Sequence, residues 1–325
     1  MFSTMYIWLL KMESRIAIVD LGTNTFHLLI VDVKENQHHI VYRERTAVKL
    51  GKKGINKGLI TDAALSRALR AISAFRIAID NYNVKKIFAY GTSAFRNARN
   101  QKDVINRIKE NTGIAVNVIS GDEEARLIYM GVRSAIPLGN EKSLVLDIGG
   151  GSVEFIIGDE NDIYWKESFE IGAQRLLEEY HTHDPIRTED LKALSIHFDN
   201  KLGSLFQVLE RYQPKTLVGS SGTFDTLSDI YCARQGLERI SETAETPLSF
   251  QGFHDIYKEL IVRDKEARMK IPGMIELRVD MIVVACSLIN YLISRYAFTN
   301  LRVSSYALKE GVLADIMSGS ITYGN

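Results

Sequence analysis

The feature that most constrains the fold is an internal repeat of one short pattern. Residues 20–25 read DLGTNT and residues 147–152 read DIGGGS, and an apolar, strand-like run follows each of them. The two Asp residues lie 127 positions apart (147 − 20), and the D-x-G steps align without a gap. Each copy predicts an apolar strand, a tight turn of small polar residues and a second apolar strand. The chain is therefore expected to contain two halves of one design.

The segments that follow the two hairpins also correspond. After the first, the pattern predicts a strand at 38–48, a helix at 62–82, a strand at 86–90, a helix at 97–111, a strand at 115–119 and a helix at 121–135. After the second, it predicts a strand at 162–170, a helix at 189–212, a strand at 216–218, helices at 223–235, 250–262 and 276–297, a strand at 301–304 and a helix at 306–318. Apolar residues spaced three and four apart mark the helical faces. A repeated βββαβα order predicts the α/β class, with two mixed-sheet domains facing each other.

The boundary between the halves is expected at the loop 137–139, which combines proline and glycine. We therefore predict one domain at 12–136 and a second at 137–304, with the terminal helix, 305–320, packing back on the first domain. Residues 1–11 are interpreted as an upstream extension. Their apolar run is far shorter than the roughly 20 residues that span a bilayer, and they lack the basic start and cleavage site of a signal peptide. A cytoplasmic location with no membrane partner is expected.

Composition narrows the class of partner. The 325 residues include 40 Lys+Arg and 40 Asp+Glu, for a formal net charge of zero. A neutral chain argues against a generally basic surface that grips nucleic acid or anionic lipid, although it leaves room for a local basic cleft. Two cysteines, Cys232 and Cys286, are too few for a disulfide framework and are predicted to be buried thiols.

Small polar turns follow four of the predicted strands, at 22–25, 91–93, 149–152 and 219–223. Glycine lets the backbone approach an anion closely, hydroxyl groups donate hydrogen bonds, and a helix N-terminus adds amides and a favourable dipole. Taken singly, each turn is equally typical of an ordinary connection between two secondary-structure elements. Together they predict a cleft that holds a chain of phosphates. The candidate phosphate-binding residues are Thr23, Asn24, Thr25, Thr92, Ser93, Gly149, Gly150, Gly151, Ser152, Ser221, Gly222 and Thr223.

Carboxylates flank these turns. Asp20 and Asp147 directly precede two of them, where a carboxylate can hold Mg²⁺ directly or through water. The alternative role is a hydrogen bond to the amides of the turn itself. Glu154 is a further candidate ligand of metal or water, or else the polar tip of its hairpin. Asp20, Asp147 and Glu154 are thus the predicted metal-binding residues, with Mg²⁺ as the cofactor.

A third group of candidates lies around the helix predicted at 121–135. Ser120 and Glu123 have the spacing of a capping box, which leaves Glu124 as the surplus carboxylate of the first turn. Glu124 is the candidate group to orient and deprotonate a water, and a solvated residue at a helix start is the alternative. Arg96, at the start of another predicted helix, carries a guanidinium that matches phosphate oxygens. Glu124 and Arg96 are the predicted catalytic residues.

Five strings resemble the exopolyphosphatase/guanosine pentaphosphatase (Ppx/GppA) family, which belongs to the actin-like, sugar-kinase-like superfamily. They are VDLGTNTFHLLI (19–30), GTSAFRNARN (91–100), ISGDEEARLIYMGV (119–132), VLDIGGGSVEFIIG (145–158) and VGSSGTFDTL (218–227). The resemblance covers residues 13–318. It implies two ribonuclease-H-like domains, a cleft for a phosphate chain between them, and Mg²⁺ dependence. The implied reaction is hydrolysis of a terminal phosphoanhydride in inorganic polyphosphate or guanosine pentaphosphate.

The resemblance also implies roles for single residues. Glu124 matches the family residue that positions the nucleophilic water, and Arg96 matches the arginine that contacts phosphate. Asp147 and Glu154 match carboxylates associated with metal and water. Asn24, Thr25 and the turns at 149–152 and 221–223 match phosphate-contacting segments. A homodimer through the second domain is a further expectation from the resemblance.

The sequence departs from the family pattern at some positions. Val153 stands where a Thr is common, and Lys309 stands where an Arg is usual. Arg278 begins a segment that resembles the R-A-D segment of the family, which is implicated in contact with guanosine nucleotide. His27, Arg278 and Lys309 are therefore the candidate specificity residues.

Two other functions remain open on the same scaffold. An ATP-dependent kinase for a small molecule would need a strand-end Asp as base and a roomy adenosine pocket. A non-enzymatic sensor would bind polyphosphate or guanosine nucleotide and signal through domain closure. The presence of all the catalytic carboxylates argues against the sensor.

The neutral charge predicts which substrates are favoured. Long family members carry a helical C-terminal region that extends the polyphosphate channel, and a neutral chain of two domains is expected to hold a long polymer weakly. We expect higher initial rates on short polyphosphate or guanosine pentaphosphate than on long polyphosphate. We also expect a shallower loss of rate with salt than for a strongly basic binder. Parallel rate measurements test this, and a marked preference for chains of hundreds of phosphates would contradict it.

Overall fold

The computed structural model describes residues 14–34, 37–238 and 243–319. The first half of the chain forms a five-stranded sheet in the order β3-β2-β1-β4-β5. Its strands are β1 (Ser14–Leu21), β2 (Thr25–Lys34), β3 (Gln37–Ala47), β4 (Lys86–Gly91) and β5 (Val116–Val118). The first three strands are an antiparallel meander, and β4 and β5 add to β1 in parallel. The helices are α1 (Asp62–Asn81), α2 (Ser93–Arg96), α3 (Gln101–Thr112) and α4 (Gly121–Ala135).

The second half repeats this topology. Its strands are β6 (Ser143–Ile148), β7 (Val153–Gly158), β8 (Ile163–Phe169), β9 (Thr216–Ser220), β10 (Glu245–Thr246) and β11 (Asn300–Ser304). They pair in the order β10-β11-β9-β6-β7-β8, so that β8-β7-β6-β9-β11 reproduces the order of the first sheet. The helices are α5 (Ala173–Tyr180), α6 (Thr188–Lys201), α7 (Gly203–Tyr212), α8 (Ser221–Gln235), α9 (Phe250–Val262), α10 (Lys265–Met269), α11 (Ile282–Arg295) and α12 (Leu308–Met317). The predicted α/β class with two ribonuclease-H-like halves is confirmed, while the boundary at 136/137 stays a prediction.

The repeated D-x-G pattern has the same structural cause in both hairpins. A Cβ on Gly22 would lie 2.9 Å from the backbone oxygen of Thr25, and a Cβ on Gly149 would lie 3.0 Å from that of Ser152. Only glycine therefore allows the chain to turn this tightly. In the first hairpin, the Gly22 N–H donates to the oxygen of Thr25 at 3.1 Å.

The hydrophobic core is divided into three clusters of buried side chains. One covers the first sheet on the side of α1 and α3, and another covers the second sheet on the side of α5 to α11. The third cluster combines residues of both sheets, such as Ile18 and Val145, with residues of α4 and α12. Because it draws on both halves, this third cluster joins the two domains into one unit.

Helices α4 and α12 meet with their backbones in contact. A Cβ on Gly131 would lie 2.1 Å from the backbone oxygen of Ala307, and a Cβ on Gly311 would lie 1.7 Å from that of Leu127. Arg126 adds an ion pair with the buried carboxylate of Asp315. The terminal helix thus packs on α4, and it also contacts β1 of the first sheet.

Several helices differ from the sequence-based prediction. The helix predicted at 189–212 is two helices, because Leu202 leaves helical geometry (φ −103°, ψ 16°) between α6 and α7. The helix predicted at 276–297 begins at Ile282, because the preceding residues form tight turns. The helix predicted at 97–111 begins at Gln101, after the separate short α2. Helices α5 and α10 were not predicted.

Other expectations concern the cysteines and the ends of the chain. Cys232 and Cys286 are buried free thiols, as predicted. No helix within the described ranges is long and apolar enough to span a bilayer. Residues 1–11, interpreted as an upstream extension, lie outside the described residues, and the cytoplasmic location and the homodimer stay predictions.

The helix crossing generates a test. Gly311→Ala should destabilise the protein by about 1–3 kcal/mol, because the added methyl group would force α4 and α12 apart. Chemical denaturation measures this change. The matched control is Gly203→Ala, since a Cβ at this first residue of α7 meets no atom within 4 Å. The control should be neutral or stabilising by up to about 1 kcal/mol. Equal stability of Gly311→Ala and the unmodified chain would refute the proposed close crossing.

Candidate active site

A cleft lies between the two halves, where the turns after β1, β4, β6 and β9 meet. It is lined by eleven of the twelve predicted phosphate-binding residues, namely Thr23, Asn24, Thr25, Thr92, Ser93, Gly149, Gly150, Gly151, Ser152, Ser221 and Gly222. Thr223, the twelfth, is buried within α8 and does not line it. Residues far apart in the sequence are thus brought together at the strand ends of both sheets.

The turns of the two halves touch each other across the cleft. A Cβ on Gly150 would lie 2.6 Å from the Asn24 amide nitrogen. A Cβ on Gly151 would lie 2.5 Å from the hydroxyl oxygens of both Thr23 and Ser93. No side chain fits between these turns. The glycines are therefore needed for the close approach of the two halves.

Helix α5 supports the glycine turn from behind. The N–H groups of Gly172, Ala173 and Gln174 donate to the carbonyl oxygens of residues 151, 149 and 150 at 3.2, 2.9 and 2.8 Å. Sequence reasoning missed this helix, although Ala173, Leu176, Leu177 and Tyr180 have helical spacing. The first turn of α5 thereby fixes the shape of the glycine turn.

Three predicted carboxylates line the cleft. They are Asp20 at the end of β1, Asp147 at the end of β6 and Glu124 in the first turn of α4. Burial raises the pKa of Asp20 to about 7 and that of Asp147 to about 6. Burial also raises the pKa of Glu124, although the Arg96 guanidinium opposes this shift. The cleft therefore concentrates negative charge that favours a cation or a proton.

Each Asp has its own partners. The Ser220 hydroxyl donates to Asp147 Oδ2 at 3.2 Å, and hydrogen bonds from Ser220 and Ser221 lower the pKa of Asp147 against the effect of burial. The nearby ammonium of Lys309 likewise opposes the raised pKa of Asp20. Lys309 in turn forms an ion pair with Glu310, with Nζ 2.9 Å from Oε1.

Glu154 lies behind the wall of the cleft rather than in it. It does not appear among the lining residues, and only 1% of it is exposed. The Ser168 hydroxyl donates to its Oε1 at 2.7 Å. Burial raises the pKa of Glu154 well above its usual value, and the neighbouring Glu124 and Asp147 raise it further.

Arg96 also lies outside the cleft, on the far side of Glu124. Its Nη1 donates to Glu124 Oε2 at 2.8 Å and to the backbone oxygen of Ile119 at 3.2 Å. Glu124 is therefore buried and paired, which excludes the alternative of a solvated residue at a helix start. Arg96 borders a second, outer groove, which is also lined by Gly121, Asp122, Lys166, Glu167, Ser168 and Glu170.

The neighbouring Glu123 has a structural role. The Ser120 hydroxyl oxygen accepts a hydrogen bond from the Glu123 N–H at 3.1 Å, which is one half of the predicted capping box. The Glu123 carboxylate accepts hydrogen bonds at 2.8 Å from Arg126 instead of closing the other half. The sequence assignment of Glu124 as the surplus carboxylate is consistent with these contacts.

The three candidate specificity residues, His27, Arg278 and Lys309, all line the cleft. Burial lowers the pKa of His27 well below its usual value, and the nearby cations Lys309, Arg278 and Arg45 lower it further, so that the imidazole is neutral. The Arg278 guanidinium lies directly over the turn after β9, because a Cβ on Gly222 would be 1.9 Å from its Nη2.

Some polar atoms in the cleft have no hydrogen-bond partner among the described residues. They are Asn24 Oδ1, Thr25 Oγ1 and Arg278 Nε. Buried polar atoms are almost always paired in native proteins, so these atoms point to a polar ligand. Two further charged residues line the cleft, Arg45 on β3 and Asp225 near the start of α8, and sequence reasoning missed Asp225. One sequence signal could have identified Asp225, since it follows Ser221 by four residues and therefore lies on the same face of the helix that begins there.

Comparison with known proteins agrees with this geometry. The sequence model of the Ppx/GppA phosphatase family matches residues 29–319. The chain belongs to the Ppx/GppA phosphatase family. The sequence-based recognition of the family and the expectation of a hydrolase are thereby confirmed.

Individual relatives of this Ppx/GppA chain match along most of its length. Exopolyphosphatase 1 of Mycobacterium tuberculosis is 27% identical over 304 residues, which are 92% of this chain and 87% of that protein. A guanosine-5'-triphosphate,3'-diphosphate pyrophosphatase of Photobacterium profundum is 27% identical over 305 residues, which are 93% of this chain and 59% of that one. The crystal structure of an exopolyphosphatase from Cytophaga hutchinsonii is 45% identical, covers 94% of this chain and 98% of its own, and superimposes with a TM-score of 0.91.

Proposed function

We propose that this chain is a Mg²⁺-dependent phosphoanhydride hydrolase that releases terminal orthophosphate from inorganic polyphosphate or guanosine pentaphosphate. The observation that carries the proposal is a buried carboxylate, Glu124, held by Arg96 beside a cleft lined by glycine and hydroxyl turns. The names of the relatives support it, since they include exopolyphosphatases and a guanosine-5'-triphosphate,3'-diphosphate pyrophosphatase.

The cleft suits a chain of phosphates. Hydroxyl groups of Thr23, Thr25 and Ser152 and the amide of Asn24 line it from both halves. Asn24 Oδ1 can only accept hydrogen bonds, so its partner in the cleft is a donor such as water. The hydroxyl groups and the Arg278 guanidinium can donate hydrogen bonds to phosphate oxygens. The substrate is thus held by many modest contacts along its length, with its end directed toward Glu124.

Glu124 is the general base of the proposed reaction. Its burial raises its pKa, which makes it a stronger base than an exposed carboxylate while Arg96 fixes its orientation. A water oxygen beside Glu124 attacks the terminal phosphorus as its proton passes to the carboxylate. The bond from phosphorus to the bridging oxygen breaks, and the shortened chain leaves with the electron pair of that bond.

The residues of the cleft fit a Mg²⁺ ion. The donors are oxygen atoms of Asp147 and Asp20, which line the same cleft, and burial raises the pKa of both carboxyl groups, so that a bound cation would favour their ionised form. No group of three or more His, Cys, Asp or Glu side chains arranged for a metal occurs within the described ranges. Mg²⁺ is commonly bound by one or two carboxylates together with waters and substrate phosphates, so Asp147 and Asp20 suffice. The ion would neutralise charge that develops on the phosphate oxygens.

A first test concerns the base. Glu124→Gln should lower the rate of phosphate release by about 10³-fold or more, because the amide cannot accept the proton of the water. Colorimetric orthophosphate release from tripolyphosphate and guanosine pentaphosphate measures this. The matched control is Glu123→Gln, whose carboxylate is the neighbour that pairs with Arg126 outside the cleft. Turnover of Glu124→Gln at the control rate would rule out the assigned role.

A second test concerns the metal. Removal of divalent ions with EDTA should abolish phosphate release, and Asp147→Asn should raise the Mg²⁺ concentration that restores half of the maximal rate by about tenfold or more. Asp103→Asn, an exposed position on α3, is the control and should leave this concentration unchanged. Full activity in EDTA would contradict the Mg²⁺ dependence.

A further inference from the structure

One carboxylate outside every sequence motif lies among three donors beside the cleft. Glu170 follows β8, and its Oε2 accepts hydrogen bonds from the Ser93 hydroxyl at 2.7 Å and from Arg175 Nη2 at 2.9 Å. Its Oε1 accepts from Arg96 Nη2 at 3.2 Å. Ser93 and Arg96 belong to the first half of the chain, whereas Arg175 belongs to the second. Glu170 therefore bridges the two halves.

The three donors have partners other than Glu170, and the Ser93 hydroxyl oxygen accepts a hydrogen bond from Asn97 Nδ2 at 3.3 Å. Arg96 is held by Glu124 and by the backbone oxygen of Ile119. Arg175 donates from Nε to the backbone oxygen of Gly151 at 2.7 Å and from Nη1 to that of Ile55 at 3.0 Å. The donor geometry is thus preorganised and does not need the carboxylate.

The exposed fractions of the side chains indicate that the Glu170 carboxylate, rather than its donors, can move out of this arrangement. The side chain of Glu170 is 38% exposed, whereas those of Arg175 and Arg96 are 14% and 18% exposed. The Ser93 hydroxyl lies in a residue that is only 1% exposed. Glu170 can swing into solvent while the donors stay in place.

The chemistry of the three donors matches phosphate. Two guanidinium groups and a hydroxyl that converge on one anion are a typical arrangement for phosphate oxygens. The position is also appropriate, because Ser93 lines the cleft and Arg96 borders the outer groove. A phosphate at this point would lie beside Glu124.

We propose that Arg175 completes a phosphate subsite with Ser93 and Arg96, two residues that the sequence already assigned to phosphate, and that Glu170 occupies this subsite as an internal anion which a phosphate group displaces. This proposal rests on the proposed function for the identity of the substrate. By competing for the donors, Glu170 weakens phosphate binding and assists the departure of orthophosphate. The bound group is either the product orthophosphate or a phosphate of the substrate chain.

The direct test is equilibrium binding of inorganic orthophosphate, measured by isothermal titration calorimetry. Glu170→Gln keeps the shape of the side chain but removes the competing charge, so it should bind orthophosphate about tenfold more tightly than the unmodified chain. Glu167→Gln is the matched control, because Glu167 lines the same outer groove and accepts from Ser204 at 3.2 Å. The control should bind as the unmodified chain does. Equal or weaker binding by Glu170→Gln would overturn the proposal.

Kinetics with tripolyphosphate separates competition from positioning. If Glu170 competes with phosphate, Glu170→Gln should lower the inhibition constant of orthophosphate. If the subsite also takes a phosphate of the substrate, KM falls as well, and an unchanged KM assigns the subsite to the product. If Glu170 only positions Arg96, kcat of Glu170→Gln would fall while KM and the inhibition constant of orthophosphate stay unchanged. That result would overturn the proposal.

Two further measurements keep the outcome interpretable. Glu170→Ala should show the same tighter binding of orthophosphate, and circular dichroism of both variants verifies the fold. Orthophosphate is not hydrolysed, so its binding is independent of turnover. Absence of phosphate release by the unmodified chain would refute the proposed function, whereas the calorimetric comparison would still decide whether Glu170 blocks an anion subsite.

Discussion

The close approach of the two halves at glycine residues is the constraint on which the rest of the structure depends. It is set at two places, by Gly131 and Gly311 where α4 crosses α12, and by Gly150 and Gly151 where the turns meet across the cleft. Because these glycines contribute no side chain to the contacts, the strand ends of both sheets come within reach of one ligand. The same approach lets Glu170 bridge donors from both halves.

Crossing helices also give the cleft its chemical asymmetry. The first turns of α4 and α12 both reach the cleft, and one delivers Glu124 whereas the other delivers Lys309. A repeated fold thereby supplies a carboxylate on one side and a cation on the other. The formal neutrality of the chain has a local counterpart beside the cleft, since cations such as Arg96 are paired with carboxylates there.

Local sequence patterns predicted the succession of most strands and helices along the chain, the four polar turns and most of the lining residues, because turn chemistry and hydrophobic periodicity are short-range properties. They missed α5, Glu170 and Arg175, since the roles of these residues arise from contacts with Gly151 and Ser93, far away in the sequence. The long helix predicted at 189–212 was wrong for a related reason. The apolar pattern continues through Leu202, and only packing decides that the helix breaks there.

By itself, the sequence determined the family, the duplicated topology and the identity of the groups available for chemistry, because each of these is recorded in short strings such as the two D-x-G turns. Only the tertiary structure decided which groups face the ligand. Glu154 and Arg96 lie behind the wall of the cleft, and Arg45 and Asp225 lie on it. The physical reason is that orientation toward a cleft between two domains depends on how both sheets pack against α4 and α12, which is a property of the whole chain.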